Sequence, residues 1–161
     1  LSKILSSMEK GFTKMANEIV KNENVAITAS DNAFDIPTGF INTFDISTDE
    51  GKKQVLKSFN SSEPLNAHVG EELKICDCIT TPGIRKGRNG APDKPCQNTY
   101  LIDVDGVTYF SQSDGVARSL QMFAALYPDF GKSSEKGYIG IICIEQELNN
   151  GNSLKTLIPS E

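Results

Sequence analysis

Residues 97–112 read QNTYLIDVDGVTYFSQ, and this stretch decides the fold because it specifies a β-hairpin. β-Branched and aromatic residues dominate the segments Gln97–Val104 and Val107–Gln112, as they do in β-strands. Between them lies Asp105-Gly106, a pair typical of a two-residue type I′ turn. The sequence therefore predicts two antiparallel strands joined by this turn.

The predicted turn also fixes which side chains share a face of the hairpin. A two-residue loop pairs Tyr100 with Ser111 and Leu101 with Phe110, and successive side chains point to opposite faces. The face that carries Tyr100 is the more continuously apolar, so we expect it to point into the core. Leu101 and Phe110 would then lie outside, where an aromatic ring among polar groups indicates a binding partner.

The flanking sequence places this hairpin in a larger sheet. From Gly70 to Ser160 the pattern reads strand, strand, strand, helix, strand, strand, with the helix capped at Ser113 or Asp114. The last two strands are predicted at Tyr138–Leu148 and Ser153–Ile158. This order predicts a mainly β protein, a five-stranded OB-fold-like Greek-key barrel with a helix between its third and fourth strands. The second and third strands of such barrels, and the flanking loops, often hold oligonucleotides.

The residues before the barrel have a different pattern. Apolar residues recur at intervals of three and four from Leu1 to Val20, which predicts an amphipathic helix. A short strand at Phe40–Ile46 and a helix capped at Ser47–Asp49 follow. The buried side of that second helix is expected to carry three apolar residues: Val55, Leu56 and Phe59. We therefore expect residues 1–64 to form an N-terminal helical extension packed on the barrel, and residues 65–161 to form the OB-fold-like domain.

The composition is that of a globular protein. Of 161 residues, 38% are hydrophobic and 23% are charged, and no apolar run is long enough to span a membrane. The segment Leu1–Val20 contains Glu9 and Glu18 and lacks the continuous apolar centre of a signal peptide. A cytoplasmic location, without a membrane partner, is expected.

The charge distribution points to one basic segment. The formal net charge is −5, which does not favour phosphate binding by the chain as a whole. Between Pro82 and Pro95, however, a single acid, Asp93, stands among four basic residues: Arg85, Lys86, Arg88 and Lys94. The glycines and prolines of this segment predict a loop. This loop is a candidate for phosphate contacts.

A single-strand binder needs cations for the phosphates and aromatic faces for unstacked bases. Phe110 is the predicted stacking residue, flanked by Tyr100 and Leu101, and packing of Phe110 beneath the extension is the alternative. If the hairpin register were off by one, Tyr100, Tyr109 and Phe44 would become the aromatic candidates, with Tyr109 favoured as a core residue. The predicted phosphate contacts are five basic residues: Lys74, Arg85, Lys86, Arg88 and Lys155.

The sequence lacks the usual signatures of catalysis. It contains no P-loop, no G-x-S-x-G elbow and no H-E-x-x-H pair, and its one histidine, His68, leaves little scope for acid–base chemistry. The cysteines, at positions 76, 78, 96 and 143, do not form a CxxC pair of zinc-site spacing. A Cys3His zinc site with His68 is an alternative, but small half-buried side chains are favoured. We expect no enzyme, no cofactor and no metal.

A family resemblance extends this interpretation. The segment Thr99–Leu120, TYLIDVDGVTYFSQSDGVARSL, with the closing Lys155–Pro159, KTLIP, resembles the single-stranded DNA-binding proteins of phages and conjugative plasmids of Gram-positive bacteria. Upstream, Phe44–Asn60, FDISTDEGKKQVLKSFN, is similar to the helix that leads into the barrel of such proteins. The resemblance covers residues 40–160. It implies an OB-fold that coats single strands during phage or plasmid DNA replication or transfer, without enzymatic activity.

A protein-interaction module of a replication or conjugation assembly is the alternative function. In that case the same barrel face would dock a replication or conjugation protein, and the N-terminal helix would mediate assembly into a homo-oligomer. The charge across the second and third strands distinguishes the two functions. A neutral or acidic surface favours a protein partner, because carboxylates without counter-charges repel phosphate.

Overall fold

The computed structural model describes residues 41–161, which fold into a strongly curled, half-barrel sheet with two helices. The helices are α1 (Asp49–Asn60) and α2 (Asp114–Leu126), and a short 3-10 turn covers Leu65–His68. The strands are β1 (Ile41–Asn42), β2 (Ser62–Pro64), β3 (Glu72–Arg85), β4 (Lys94–Asp103), β5 (Thr108–Ser111), β6 (Ile139–Glu147) and β7 (Ser153–Pro159). The predicted mainly β architecture is therefore confirmed.

All the described strands belong to one sheet. Their order is β2-β5-β4-β3-β6-β7, and β1 pairs with β3. β3 is antiparallel to β6 along its first half and to β4 along the rest, whereas β2 runs parallel to β5. Two segments of the predicted extension, β1 and β2, thus contribute to the sheet. The helix predicted at Leu1–Val20 lies outside the described residues.

α2 follows β5 in the chain and packs against β7 and β4. Its N-cap is Ser113, as predicted, and the hydroxyl of Ser113 also donates to the Lys155 carbonyl at 3.4 Å. The Leu157 amide of β7 donates to Ser119 Oγ at 3.1 Å. The start of the helix lies so close to β7 that a Cβ at Gly115 would overlap the Lys155 carbonyl. This contact brings Lys155 next to the helix N-terminus.

The core lies on the inner face of the sheet, beneath α2. Its buried residues come from the strands, the 3-10 turn and α2: Leu65, Leu73, Ile75, Cys78, Leu101, Tyr109, Val116, Leu120, Phe123, Phe130, Ile141, Cys143 and Leu157. α2 contributes Val116, Leu120 and Phe123 to this core at helical spacing, whereas Tyr127 ends the helix and is exposed. Neither described helix has the length and apolar character needed to cross a membrane.

α1 begins where it was predicted but buries different residues. Thr48 caps it by accepting a hydrogen bond from the Gly51 amide. The predicted buried side is wrong, since Leu56 is 61% exposed and the residues that are buried are Gly51 and Ser58. The Asp45 carbonyl in the preceding loop approaches Gly51 too closely for a larger residue, and Phe59 contacts Tyr100 of β4.

The β4–β5 hairpin differs from the prediction by one residue of register. Asp103 N donates to the Val107 carbonyl and Gly106 N donates to the Asp103 carbonyl, which defines a three-residue loop. Gly106 has a φ of 81°, but Asp105 is not in the left-handed region that a type I′ turn requires. The Asp103 carboxylate accepts hydrogen bonds from the amides of Asp105 and Val107, at 2.9 Å each. These side-chain contacts favour the longer loop.

The changed register exchanges the predicted faces of β4 and leaves those of β5 unchanged. Tyr100 pairs with Phe110, and Leu101 pairs with Tyr109. Leu101 is fully buried in the core, so its predicted outer position is wrong, while Tyr109 is a core residue as favoured. Tyr100 and Phe110 share the opposite face, which we call the outer face, and both are half-buried there.

Candidate nucleic-acid interface

The basic segment forms a two-stranded ribbon instead of the long loop that was predicted. Pro82 and Gly83 belong to β3 and Pro95 belongs to β4, so only residues 86–93 form the loop. β1 and β5 pair with the ribbon strands only up to Thr80 and Thr99, respectively. Beyond them no strand within residues 41–161 pairs with the ribbon, and a proline without an N–H is tolerated at such an edge. Arg85 therefore lies on a strand and is held more firmly than a loop residue.

The loop at the ribbon tip is closed by one carboxylate. Asp93 accepts hydrogen bonds from Lys86 Nζ at 2.7 Å and from the Gly87 amide at 3.0 Å. The bond from Lys86, followed by the bond from Gly87, lowers the pKa of Asp93. Asp93 thus organises the backbone that carries Lys86 and Arg88.

A groove of about 780 Å³ opens between the ribbon, the end of β5, the N-terminus of α2 and β7. Its apolar and polar lining includes Phe110, Gln112 and Ser113. Its basic lining consists of Arg85, Lys86, Arg88, Lys94 and Lys155. Among the described residues that line the groove, none is acidic.

Three of the five lining cations have carboxylate partners outside the lining. Arg85 contacts the Asp114 carboxylate at 3.0 Å, and Lys155 lies 3.7 Å from the Glu145 carboxylate. Lys86 is paired with Asp93, as described above. Within residues 41–161, Arg88 and Lys94 form no ion pair. The groove therefore keeps an excess of positive charge.

Two of these cations lie directly opposite each other on neighbouring strands. Arg85 of β3 and Lys94 of β4 are cross-strand partners. Like charges in this arrangement repel, and an anion bound between them would relieve the repulsion. This end of the groove is therefore suited to an anionic ligand such as a phosphate.

Aromatic rings adjoin the cationic end on the outer face. The rings of Tyr100 and Phe110 have centroids 5.1 Å apart, and Phe59 of α1 packs edge-on against Tyr100 at 5.0 Å. Burial raises the pKa of Tyr100, whose ring lies between Phe59 and Phe110. Phe110 lines the groove, so it is the ring available to a ligand while Tyr100 supports it from the side.

The structure brings together five of the eight predicted site residues: Arg85, Lys86, Arg88, Phe110 and Lys155. Tyr100 supports the site without lining it. Lys74 lies toward the other end of β3, with its Nζ 5.5 Å from the centre of the Tyr138 ring, and Leu101 is in the core. The predicted binding roles of Lys74 and Leu101 are therefore not supported by their positions.

Several lining residues were not among the predicted site residues, among them Lys94, Gln112 and Ser113, whose side chains can contact a ligand through a charge or a hydrogen bond. Lys94 belongs to the basic segment, so its charge was a usable signal. Gln112 and Ser113 reach the groove because β5 ends beside α2, and α2 packs on β7. No local sequence signal specifies that tertiary arrangement.

The residues of the alternative zinc site are not close enough to share an ion. Across residues 41–161, no three His, Cys, Asp or Glu side chains converge as a metal site would require. Cys78 is in the core, and Cys96 lies near Arg85. His68 contacts two carboxylates, those of Glu63 and Glu71, instead of cysteines.

Comparisons of the chain with protein families, with curated proteins and with solved structures found no match in any of the three. The site is accordingly interpreted from its own residues and their geometry.

Proposed function

We propose that this chain binds single-stranded DNA in the groove, with little sequence preference and without catalysis. The observation that carries the proposal is the lining, which places five basic residues beside an accessible aromatic ring and contains no acid. Following the family resemblance, the proposed setting is phage or plasmid DNA replication or transfer.

The groove supplies both parts of a single-strand site within one volume. Cations track the phosphates and contribute affinity that depends on salt, and an aromatic face contributes stacking that every base can use. Phe110 lies beside the cationic end of the outer face, so one strand can contact both. The net charge of −5 does not prevent this, because the local excess of cations determines the field that the ligand meets.

We also propose that the curled sheet is an OB-fold-type barrel. Support comes from the order of the strands β5-β4-β3-β6-β7, with α2 between β5 and β6. In an OB-fold the five strands lie in the order 3-2-1-4-5, and the helix follows the third. Oligonucleotides bind such barrels on strands 2 and 3 and on the loop between strands 1 and 2. Those parts correspond here to β4, β5 and the β3–β4 loop.

The alternative of a protein-interaction module predicts a neutral or acidic surface at this position. The described lining has the opposite sign. A nucleic acid is therefore the partner that the charge of the groove favours.

Fluorescence anisotropy with a labelled dT oligonucleotide tests the proposal. We expect binding at micromolar protein, and three to five phosphate contacts predict a slope of log K against log salt of about −2 to −3.5. Unlabelled duplex of the same length should compete poorly, because its bases cannot reach Phe110. No change in anisotropy at low salt and high protein concentration would overturn the proposal.

A further inference from the structure

Two side-chain amides lie next to the aromatic pair on the outer face. Gln112 Nε2 donates to Asn98 Oδ1 at 2.9 Å, and the Ile84 carbonyl lies 3.5 Å from the same nitrogen. Both acceptors attract the NH2 group of Gln112, so they fix which end of its amide points toward Asn98. The pair has a defined orientation before any ligand arrives.

Gly83 explains how the Asn98 amide is held in place. A Cβ at Gly83 would overlap the Asn98 side-chain amide, so only glycine leaves room for the amide to lie across β3. Asn98 pairs with Thr81, two steps along the β3–β4 ladder from the Gly83–Cys96 pair. The amide therefore occupies a space that the backbone of the neighbouring strand leaves open.

One donor and one acceptor of the pair have no hydrogen-bond partner within residues 41–161. They are Asn98 Nδ2 and Gln112 Oε1. Gln112 lines the groove just past the end of β5 and lies two residues from Phe110, a spacing of about 6.6 Å in extended chain. A base stacked on Phe110 extends about that far to its hydrogen-bonding edge.

We propose that Asn98 and Gln112 hydrogen-bond the Watson–Crick edge of the base stacked on Phe110, so that the groove selects unpaired bases. This inference rests on the proposed function. The Watson–Crick edge of each base carries a donor next to an acceptor, as in N6–H and N1 of adenine or N3–H and O4 of thymine. A neighbouring acceptor and donor on the protein can therefore hydrogen-bond any base whose Watson–Crick edge is free. In a duplex these edges are already paired, so the two amides would have no base to contact.

The test compares an oligonucleotide of thymidine with one of N3-methylthymidine, which keeps its ring and phosphates but lacks the N3–H donor. We expect the wild-type protein to bind the methylated strand about tenfold more weakly. The variants Gln112→Met and Asn98→Leu keep similar side-chain volumes without the amide. They should bind the two strands with affinities within about twofold of each other, since the lost contact is the one that distinguishes them.

A variant of an amide elsewhere provides the matched control. Gln54 of α1 hydrogen-bonds Glu50 away from the groove, so Gln54→Leu should retain the full discrimination. Equal wild-type binding of both strands would overturn the inference and leave the proposed function intact, as would discrimination that persists in Gln112→Met. Failure of the wild-type protein to bind thymidine strands at all would instead overturn the proposed function and this inference with it.

Discussion

The two faces of the β4–β5 hairpin have similar residues and opposite environments. On the inner face, Tyr109 is buried with its hydroxyl donating to Asp103 and its ring packed edge-on against His68. On the outer face, Phe110 contacts Tyr100 on one side and borders the groove on the other. The comparison shows that adjacent aromatic residues in one strand occupy separate environments; under the proposed function, Tyr109 serves stability and Phe110 serves binding. The observed register of the turn changes the faces of β4 only, and β5 keeps its predicted orientation with Tyr109 inside and Phe110 outside.

The largest effect should come from truncating the inner face. Leu101→Ala removes a fully buried side chain and should lower the free energy of unfolding by about 2–5 kcal/mol, because a cavity remains in the core. Urea denaturation measures the change. Leu56→Ala, at a position 61% exposed, should change it by less than about 0.5 kcal/mol. Equal effects of the two substitutions would mean that the assignment of the faces is wrong.

Truncating the outer face should affect binding instead. Phe110→Ala removes the stacking surface and should weaken binding of a dT oligonucleotide by about 1–3 kcal/mol, at low and at moderate salt alike. Anisotropy titrations at two salt concentrations measure this. Phe44 packs near Lys132 and does not line the groove, so Phe44→Ala should leave the affinity of the folded protein unchanged. A Phe110→Ala protein with wild-type affinity would exclude stacking at this ring.

The cations of the groove should act through salt dependence. Arg88→Gln combined with Lys94→Gln removes the two lining cations that have no described carboxylate partner, and each lost phosphate contact should make the salt slope shallower by about 0.7. Lys136→Gln neutralises an exposed lysine outside the groove and should leave the slope as it is. If both proteins showed the same slope, the phosphates would lie elsewhere.

The smallest effect concerns His68, which supports the inner face. Its Nδ1 lies 2.8 Å from a Glu71 carboxylate oxygen and its Nε2 lies 3.0 Å from one of Glu63. A neutral imidazole carries only one N–H, so both contacts require the protonated ring. The hydrogen bond with Glu71, assisted by Glu63, raises the pKa of His68.

The raised pKa of His68 makes the free energy of unfolding depend on pH. Because the pKa is higher in the folded than in the unfolded state, the stabilisation is present below the unfolded pKa of about 6.5. It is lost as the pH rises through the folded pKa. The wild-type protein should therefore have a higher urea midpoint than His68→Gln at pH 6, and this difference between the two proteins should be smaller at pH 8.5. His68 is the only histidine, so NMR titration of its ring is unambiguous, and a pKa at or below 6.5 would contradict the prediction.

The sequence predicted the elements better than the contacts between them. Helix starts followed local rules, as at Thr48 and Ser113. The hairpin register was missed because the Asp103 carboxylate captures two loop amides, a contact that the Asp105-Gly106 pair does not reveal. The basic ribbon was predicted as a loop because of its prolines. A strand tolerates proline only where no neighbouring strand needs its N–H, and the sequence does not show where neighbouring strands end.

The candidate site was predictable by residue type and less so by position. The basic segment and Phe110 were identified from charge and aromatic character alone. Which lysines join them depended on the packing of α2 against β7, which brings in Lys155 and leaves Lys74 at the other end of β3. Tyr100 lies on the outer face because the hairpin register is shifted by one residue, which was the alternative considered for this sequence.

The most direct test of the central claim is an amide NMR titration of the protein with a dT oligonucleotide. We predict that the shifts concentrate in the ribbon tip at residues 85–94, in Phe110–Ser113 and at Lys155, with little change at the exposed end of α2 around Met122 and Leu126. Shifts confined to α2, or the absence of shifts at saturating oligonucleotide, would contradict the assignment of this groove to single-stranded DNA.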